Sequence, residues 1–260
     1  MLHVSYATAP APGTVNQDYV IAGPDWVAVL DGATPAPGVA SGCVHDVPWL
    51  VRTLARSVAE RIESALPLSE VLAEAISATM GAHAGSCDLA DPNSPSSTIS
   101  ILRRSGDQLE YLVLCDSPIG VLHADGTVEV IHDDRTDHLP GGRPYSLEVV
   151  ESSRNRPGGF WVASTDPAAA SEALTGTVDV AGVRGVGMFT DGVTRLVEWY
   201  GRSWEELLAS ASEGGPASLL IQVRAAERAY GLPRPGKLHD DATAAWVVPV
   251  TLGEPAPASR

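Results

Sequence analysis

The sequence predicts an α+β fold, a sandwich of largely antiparallel sheets with helices outside, and three observations predict it. Short apolar runs of β character come in hairpin-spaced groups. The element order is strands, two helices, a meander, a strand, two helices and a last strand, which does not alternate as a doubly wound sheet would. Neither a G-x-G-x-x-G nor a G-K-[ST] loop occurs.

Taken in order, the first ten residues are Ala- and Pro-rich and are expected to run along the surface. Asp18 to Gly23 and Trp26 to Leu30 read as two strands joined at Gly23-Pro24-Asp25. A Pro/Gly/Ala loop, Pro35 to Gly42, follows Asp31. Val47, Leu50, Val51, Leu54, Val58 and Ile62 then repeat with helical period, as do Leu68, Val71, Leu72, Ala75, Ile76 and Met80, so two long helices should cover one face of a sheet. After a polar loop, Gly85 to Ser97, the spacing predicts a meander of Thr98 to Arg104, Leu109 to Cys115, Ile119 to His123 and Thr127 to His132. Its hairpin turns are Ser105-Gly106-Asp107 and Ala124-Asp125-Gly126. Asp133 to Gly159 reads as irregular, with room for a flap; a strand near Phe160 to Ala163 and a short helix near Pro167 to Leu174 follow. Ser203-Trp204-Glu205-Glu206 is a capping box, Pro216 opens a helix that Gly231 closes, and Ala242 to Val250 is the last strand before a Pro/Ala tail expected to fray.

At 260 residues, with 44% hydrophobic and 19% charged residues, one domain spanning 1–260 with its core at about 12–250 is the expectation. A formal net charge of −15 would repel a nucleic-acid backbone. No apolar stretch approaches the ~20 residues of a membrane helix, and no secretory signal precedes the first strand. Cys43, Cys87 and Cys115 show no C-x-x-C spacing, so reduced thiols in a cytoplasmic protein are expected.

Chemistry enters with the acidic residues. Asp31 closes the run Trp26 to Leu30, Asp191 closes Val186 to Thr190, Asp116 closes Leu109 to Cys115, and Asp240-Asp241 precede Ala242 to Val250. Carboxylates converging on one sheet rim repel each other unless a hard cation such as Mg²⁺ or Mn²⁺ lies between them. Taken singly, an Asp before Gly, as at Asp31 and Asp191, is more often a turn residue than a ligand. Recurrence at four strand ends is what points to a metal centre.

The motifs Asn16-Gln17-Asp18, Leu30-Asp31-Gly32-Ala33-Thr34, Cys115-Asp116-Ser117, Thr190-Asp191-Gly192-Val193 and Asp240-Asp241-Ala242-Thr243 resemble, in order and approximate spacing, the type 2C metal-dependent protein phosphatases, most closely their compact bacterial branch. The resemblance spans about residues 12 to 250. It implies a four-layer α-β-β-α sandwich and a binuclear Mn²⁺ or Mg²⁺ centre. In it Asp31 would bridge the metals, the Gly32 carbonyl would bind one, Asp191 and Asp240 would complete the other, and Asp18 would orient bound water. A metal-bridging hydroxide would then attack phosphorus without a covalent enzyme intermediate. The substrate implied is a phosphoserine or phosphothreonine protein.

Departures from the family pattern keep two rivals in view: a regulatory or scaffolding pseudo-phosphatase, and a hydrolase of small phosphorylated metabolites. The phosphate-holding arginine expected before Asp18 is replaced at Gly13, and Gln17 stands where a metal-associated Glu often occurs. A third-metal site would use Asp116, but Arg195 occupies its usual partner position. His239 beside Asp240, and His45, offer a proton for a leaving group, or are a loop residue and a helix-start residue. Arg154 and Arg156 would replace the phosphate clamp from the flap, or form a solvated turn.

Overall fold

A computed structural model describes residues 1–33, 38–83 and 85–250. Thr34, residues 35–37 of the Pro/Gly/Ala loop and the Pro/Ala tail after Val250 lie outside the described residues. The strands are β1 (Leu2–Ala9), β2 (Tyr19–Ala22), β3 (Trp26–Ala33), β4 (Ser96–Ser105), β5 (Gln108–Leu114), β6 (Ile119–His123), β7 (Val128–Ile131), β8 (Leu174–Asp179), β9 (Val183–Phe189) and β10 (Ala242–Pro249). The helices are α1 (Val47–Ala59), α2 (Leu68–His83), α3 (Leu147–Ser153), α4 (Asp191–Glu198), α5 (Trp204–Gly214) and α6 (Pro216–Tyr230), with 3₁₀ turns between some of them. One antiparallel sheet has the order β2-β3-β4-β5-β8 and the other β1-β10-β9-β6-β7.

The apolar pattern of β3 explains the layering. Trp26 to Leu30 is hydrophobic at every position because both faces of the strand are covered. Ala28 and Leu30 join Val51, Leu54, Val58, Leu72 and Ile76 of α1 and α2 on one side. Val27 and Val29 meet Val121, Val186, Met188 and Val247 of the second sheet on the other. Phe189, Ala244 and Trp246 of that second sheet then bury against Leu207, Leu208, Leu219 and Val223 of α5 and α6. Each fully buried Leu or Val in these layers stabilises the fold by about 1.5–3 kcal/mol. The result is the α-β-β-α sandwich that the sequence predicts. Among the described residues no helix is long and apolar enough to cross a membrane.

Five segments differ from the sequence reading, one of them being α4, since three helices rather than two lie between β9 and β10. Residues 2–9 are not a surface run: β1 pairs with β10 from Leu2↔Pro249 to Ala9↔Ala242, and Leu2 enters the inter-sheet core. The period-2 pattern is obscured because the larger Tyr6 faces solvent while the small Ala7 and Ala9 are half-buried. The meander is broken, because β5 and β6 belong to different sheets and the chain crosses between them at Cys115-Asp116. Cys115 takes a left-handed φ of 67° there, and its N–H donates to the buried Asp133 carboxylate at 2.9 Å. The run Phe160 to Ala163 makes only the isolated bridges Arg154↔Phe160 and Ser97↔Ala163, while the less apolar Leu174–Asp179 completes the first sheet as β8. The segment 133–159 contains α3, capped by the Ser146 side chain.

Candidate metal centre

Strand register gathers the acidic residues. Tyr19 pairs with Leu30, which sets Asp18 beside Asp31 at the end of β2 and β3. Asp31 pairs with Thr98 and Ile99 with Leu114, which brings the Cys115-Asp116 crossover to the same end. In the other sheet Ala244 pairs with Phe189, and the Thr190 N–H reaches the Thr243 carbonyl at 3.0 Å, so Asp240 and Asp241 meet Asp191. The two sheets are tied at this rim: the Thr190 hydroxyl donates to Asp18 Oδ2 at 3.0 Å. Asp241 accepts the Ala11 and Gln17 N–H groups at 2.7 Å each. Asp18, Asp31, Asp116, Asp191 and Asp240 therefore share one end of the sandwich.

The Asp-Gly pairs are not turns. Gly32 lies within β3, and a Cβ there would sit 2.3 Å from Val47 Cγ1 and 2.8 Å from the Gln17 carbonyl. Gly192 lies in the first turn of α4, where a Cβ would come within 1.9 Å of the Asp241 carbonyl. Both glycines permit close approach of the segments that carry the carboxylates. Asp191 opens α4, where the helix dipole favours its charge.

Burial and mutual repulsion set the electrostatics of the cluster. Burial first, and then repulsion from Asp18, Asp191, Asp240 and Asp116, push the Asp31 carboxyl well above the ordinary carboxylate range. Burial and then Asp240 raise Asp191 to about 8, against an opposing pull from Arg195. Burial raises Asp18 to about 7, with Thr243 and Thr190 hydrogen bonds opposing and Asp241 and Asp240 adding to the rise. Asp18 Oδ1 is buried with no hydrogen-bond partner among the described residues. An all-oxygen, mutually repelling donor set with a stranded buried oxygen fits hard divalent cations.

Two guanidinium groups border the cluster. Arg195, buried and stacked on Trp199 at 4.4 Å, binds Asp240 Oδ2 at 2.6 Å. Arg143 reaches Asp116 Oδ2 at 3.1 Å and Thr136 Oγ1 at 2.9 Å from the flap. Although burial works against its charge, Asp116, Asp137 and Asp191 hold the Arg143 guanidinium firmly protonated. Arg143 also lines a cleft of about 350 Å³ that runs from Ala33 and Asp116 to Tyr145 and Arg154.

The other residues singled out from sequence fall elsewhere. His239 Nδ1 contacts the buried Glu227 carboxylate at 2.7 Å; Glu227 also holds Arg224, which binds the Asp240 carbonyl at 2.7 Å. His45 stacks on Trp49 with ring centroids 3.8 Å apart. Arg154 donates to the Pro92 and Ser94 carbonyls at 2.8 Å each and to Ser96 Oγ at 3.0 Å, and Arg156 is exposed. Gly13 sits in an open loop at φ +84°. Arg143 was not singled out from sequence, because a lone arginine among Gly and Pro carries no spacing signal.

A profile described as protein phosphatase 2C matches residues 9–221. The serine/threonine phosphatase PstP/Ppp of Mycobacterium tuberculosis superposes with a TM-score of 0.59 at 17% identity, covering 95% of this chain and 98% of that one. A PstP catalytic domain in complex with two manganese ions gives the same TM-score and identity, with 95% and 97% covered. Serine/threonine phosphatase Stp1 of Staphylococcus aureus gives a TM-score of 0.61 at 13% identity, with 96% of each chain covered. No curated protein matches the sequence.

Proposed function

This chain belongs to the protein phosphatase 2C family of metal-dependent serine/threonine phosphatases, and from that premise we propose that it hydrolyses phosphoserine and phosphothreonine on proteins, with two Mn²⁺ or Mg²⁺ ions held by Asp31, the Gly32 carbonyl, Asp191 and Asp240. The observation that carries the proposal is the convergence of carboxylates on one rim, with Asp31 and Asp191 raised by burial and mutual repulsion. When bound, such ions supply Lewis acidity toward phosphoryl oxygens and an acidified water as nucleophile.

The chain's own residues do the rest. Asp18 is fixed through Oδ2 by Thr190, and its buried Oδ1, which has no hydrogen-bond partner among the described residues, would be the acceptor that orients water. Asp241 anchors the segment 11–17 that leads into Asp18. Arg143 is the phosphate grip: a flap guanidinium at the edge of the acidic cluster, doing what Gly13 cannot. It already neutralises Asp116, so the proposal has two ions and no third. His239, bound through Nδ1 to Glu227, would steady the Asp240 loop through Arg224. The net charge of −15 argues against nucleic-acid partners.

Steady-state release of phosphate from a phosphothreonine peptide, with Mn²⁺ titrated into chelator-treated protein, tests this reading. Turnover that rises with Mn²⁺ and vanishes in Asp240→Asn supports it. Turnover confined to small aryl phosphates would move the substrate to small phosphomonoesters. No metal-dependent turnover on any phosphomonoester would leave a scaffold.

A further inference from the structure

A second cluster of ligands lies outside the carboxylate rim, with different chemistry. Cys43 and His45 precede α1, His83 ends α2, and Cys87 follows four residues later. Cys43 Sγ lies 3.0 Å from Cys87 Sγ, 3.3 Å from His83 Nδ1 and 3.7 Å from His45 Nδ1, and Cys87 Sγ lies 3.3 Å from His45 Nδ1. All four ligand atoms fall within 4.8 Å of one another. With metal–sulfur bonds of about 2.3 Å and metal–nitrogen bonds of about 2.0–2.1 Å, tetrahedral ligands stand about 3.4–3.8 Å apart. The observed separations straddle that range.

The surroundings are built for a thiolate-rich site. The His45 N–H points at Cys43 Sγ at 3.3 Å and the Val44 N–H at Cys87 Sγ at 3.4 Å, which offsets charge on the sulfurs. Trp49 fixes both rings, stacked on His45 and edge-on to His83 at 4.5 Å. His83 is buried, and its Nε2 has no hydrogen-bond partner among the described residues, so its polar function is directed into the cluster through Nδ1. Two sulfurs and two imidazoles are soft and borderline donors, which select zinc over Mg²⁺ or Mn²⁺. Four protein ligands leave no open position, which is the coordination of a structural site.

We propose that Cys43, His45, His83 and Cys87 bind one structural zinc ion that clamps the start of α1 to the end of α2. The clamp has a route to the carboxylate rim. Val47, in the first turn of α1, packs on Gly32. The loop beyond Cys87 holds the flap through Asn93 Nδ2 to Glu151 at 2.7 Å and through the Pro92 and Ser94 carbonyls to Arg154. Zinc at this site would brace both the strand that carries Asp31 and the wall of the cleft beside Asp116. This inference does not depend on the phosphatase reading.

The test is the metal content of the full chain, purified without chelator and dialysed against excess Mg²⁺ so that the carboxylate rim holds Mg²⁺. Mass spectrometry should find one zinc per chain in the wild type and in Asp31→Asn, and none in the Cys43→Ser, Cys87→Ser double variant. That variant should melt lower by on the order of 10 °C. Should it fail to fold, cobalt substitution of the wild type decides: near-ultraviolet thiolate-to-cobalt charge transfer with intense visible tetrahedral bands is expected. Zinc-free wild-type protein, zinc lost from Asp31→Asn but kept without the thiols, cobalt spectra lacking the thiolate band, or a Cys43–Cys87 disulfide in the purified protein would each overturn the proposal.

Discussion

Replacing Asp31 by Asn should flatten the pH dependence of stability in metal-free protein. The Asp31 carboxyl, lifted well above its ordinary value of 3.8 by burial and four neighbouring carboxylates, keeps its proton in the folded chain after the unfolded chain has lost it. The folded state then binds the extra proton, so stability is fully present below the unfolded pKa and declines as pH rises toward the folded one. Each such group imposes a slope of about 1.4 kcal/mol per pH unit. Asp191 and Asp18 add slopes of the same sign that end near about 8 and about 7. Across about pH 5.5 to 7.5 the Asp31 carboxyl adds its slope to those of Asp191 and Asp18, so the wild type loses stability through this window. Asp31→Asn should lose less melting temperature than the wild type between about pH 5.5 and 7.5, with the gap opening as pH rises above the ordinary carboxyl value. Saturating Mn²⁺ should stabilise the wild type at the higher pH and leave the variant nearly unchanged. Scanning fluorimetry across pH with and without Mn²⁺ reads all of this. A wild-type stability flat from pH 5.5 to 7.5, or a variant with the wild-type slope, would refute the reasoning.

Other substitutions separate grip from scaffold. Arg143→Ala should raise KM for a phosphopeptide about tenfold, as expected from losing a charge-assisted hydrogen bond of about 1.5–3 kcal/mol, with a smaller change in kcat. Arg154→Ala should instead lower stability by about 2–3 kcal/mol, because it strands two carbonyls and Ser96, and urea melts will register it. Thr14→Arg should restore part of the KM lost in Arg143→Ala; position 13 is unsuitable because its φ of +84° disfavours any side chain. Gly192→Ala should displace α4 from the Asp241 carbonyl and weaken Mn²⁺ binding in calorimetry by about tenfold or more, since about 1.4 kcal/mol is one decade.

The layers and the acidic rim were legible in the sequence for the same reason. Continuous apolar runs such as Trp26 to Leu30 mark strands covered on both faces, and the residue that ends such a run must leave the core, so Asp31, Asp116 and Asp191 were exposed by their position. What stayed hidden depends on contacts distant in sequence. β1 is recognisable only once β10 lies beside it. The crossover at Asp116 replaces a hairpin because β5 pairs with β8, 71 residues apart at Gln108↔Asp179. Arg143 becomes a candidate only when the flap folds back over Asp116. The Cys/His cluster joins a C-x-H pair to an H-x₃-C pair from two helix ends, a spacing that cysteine counting passes over.

Crystals grown with Mn²⁺ and measured on both sides of the manganese absorption edge give the position of each ion. Two manganese peaks should appear, with oxygens of Asp31, Asp191 and Asp240 at about 2.0–2.3 Å and the Asp31 carboxylate between them. No manganese peak at the carboxylate rim, or one bound without Asp31, would contradict the account.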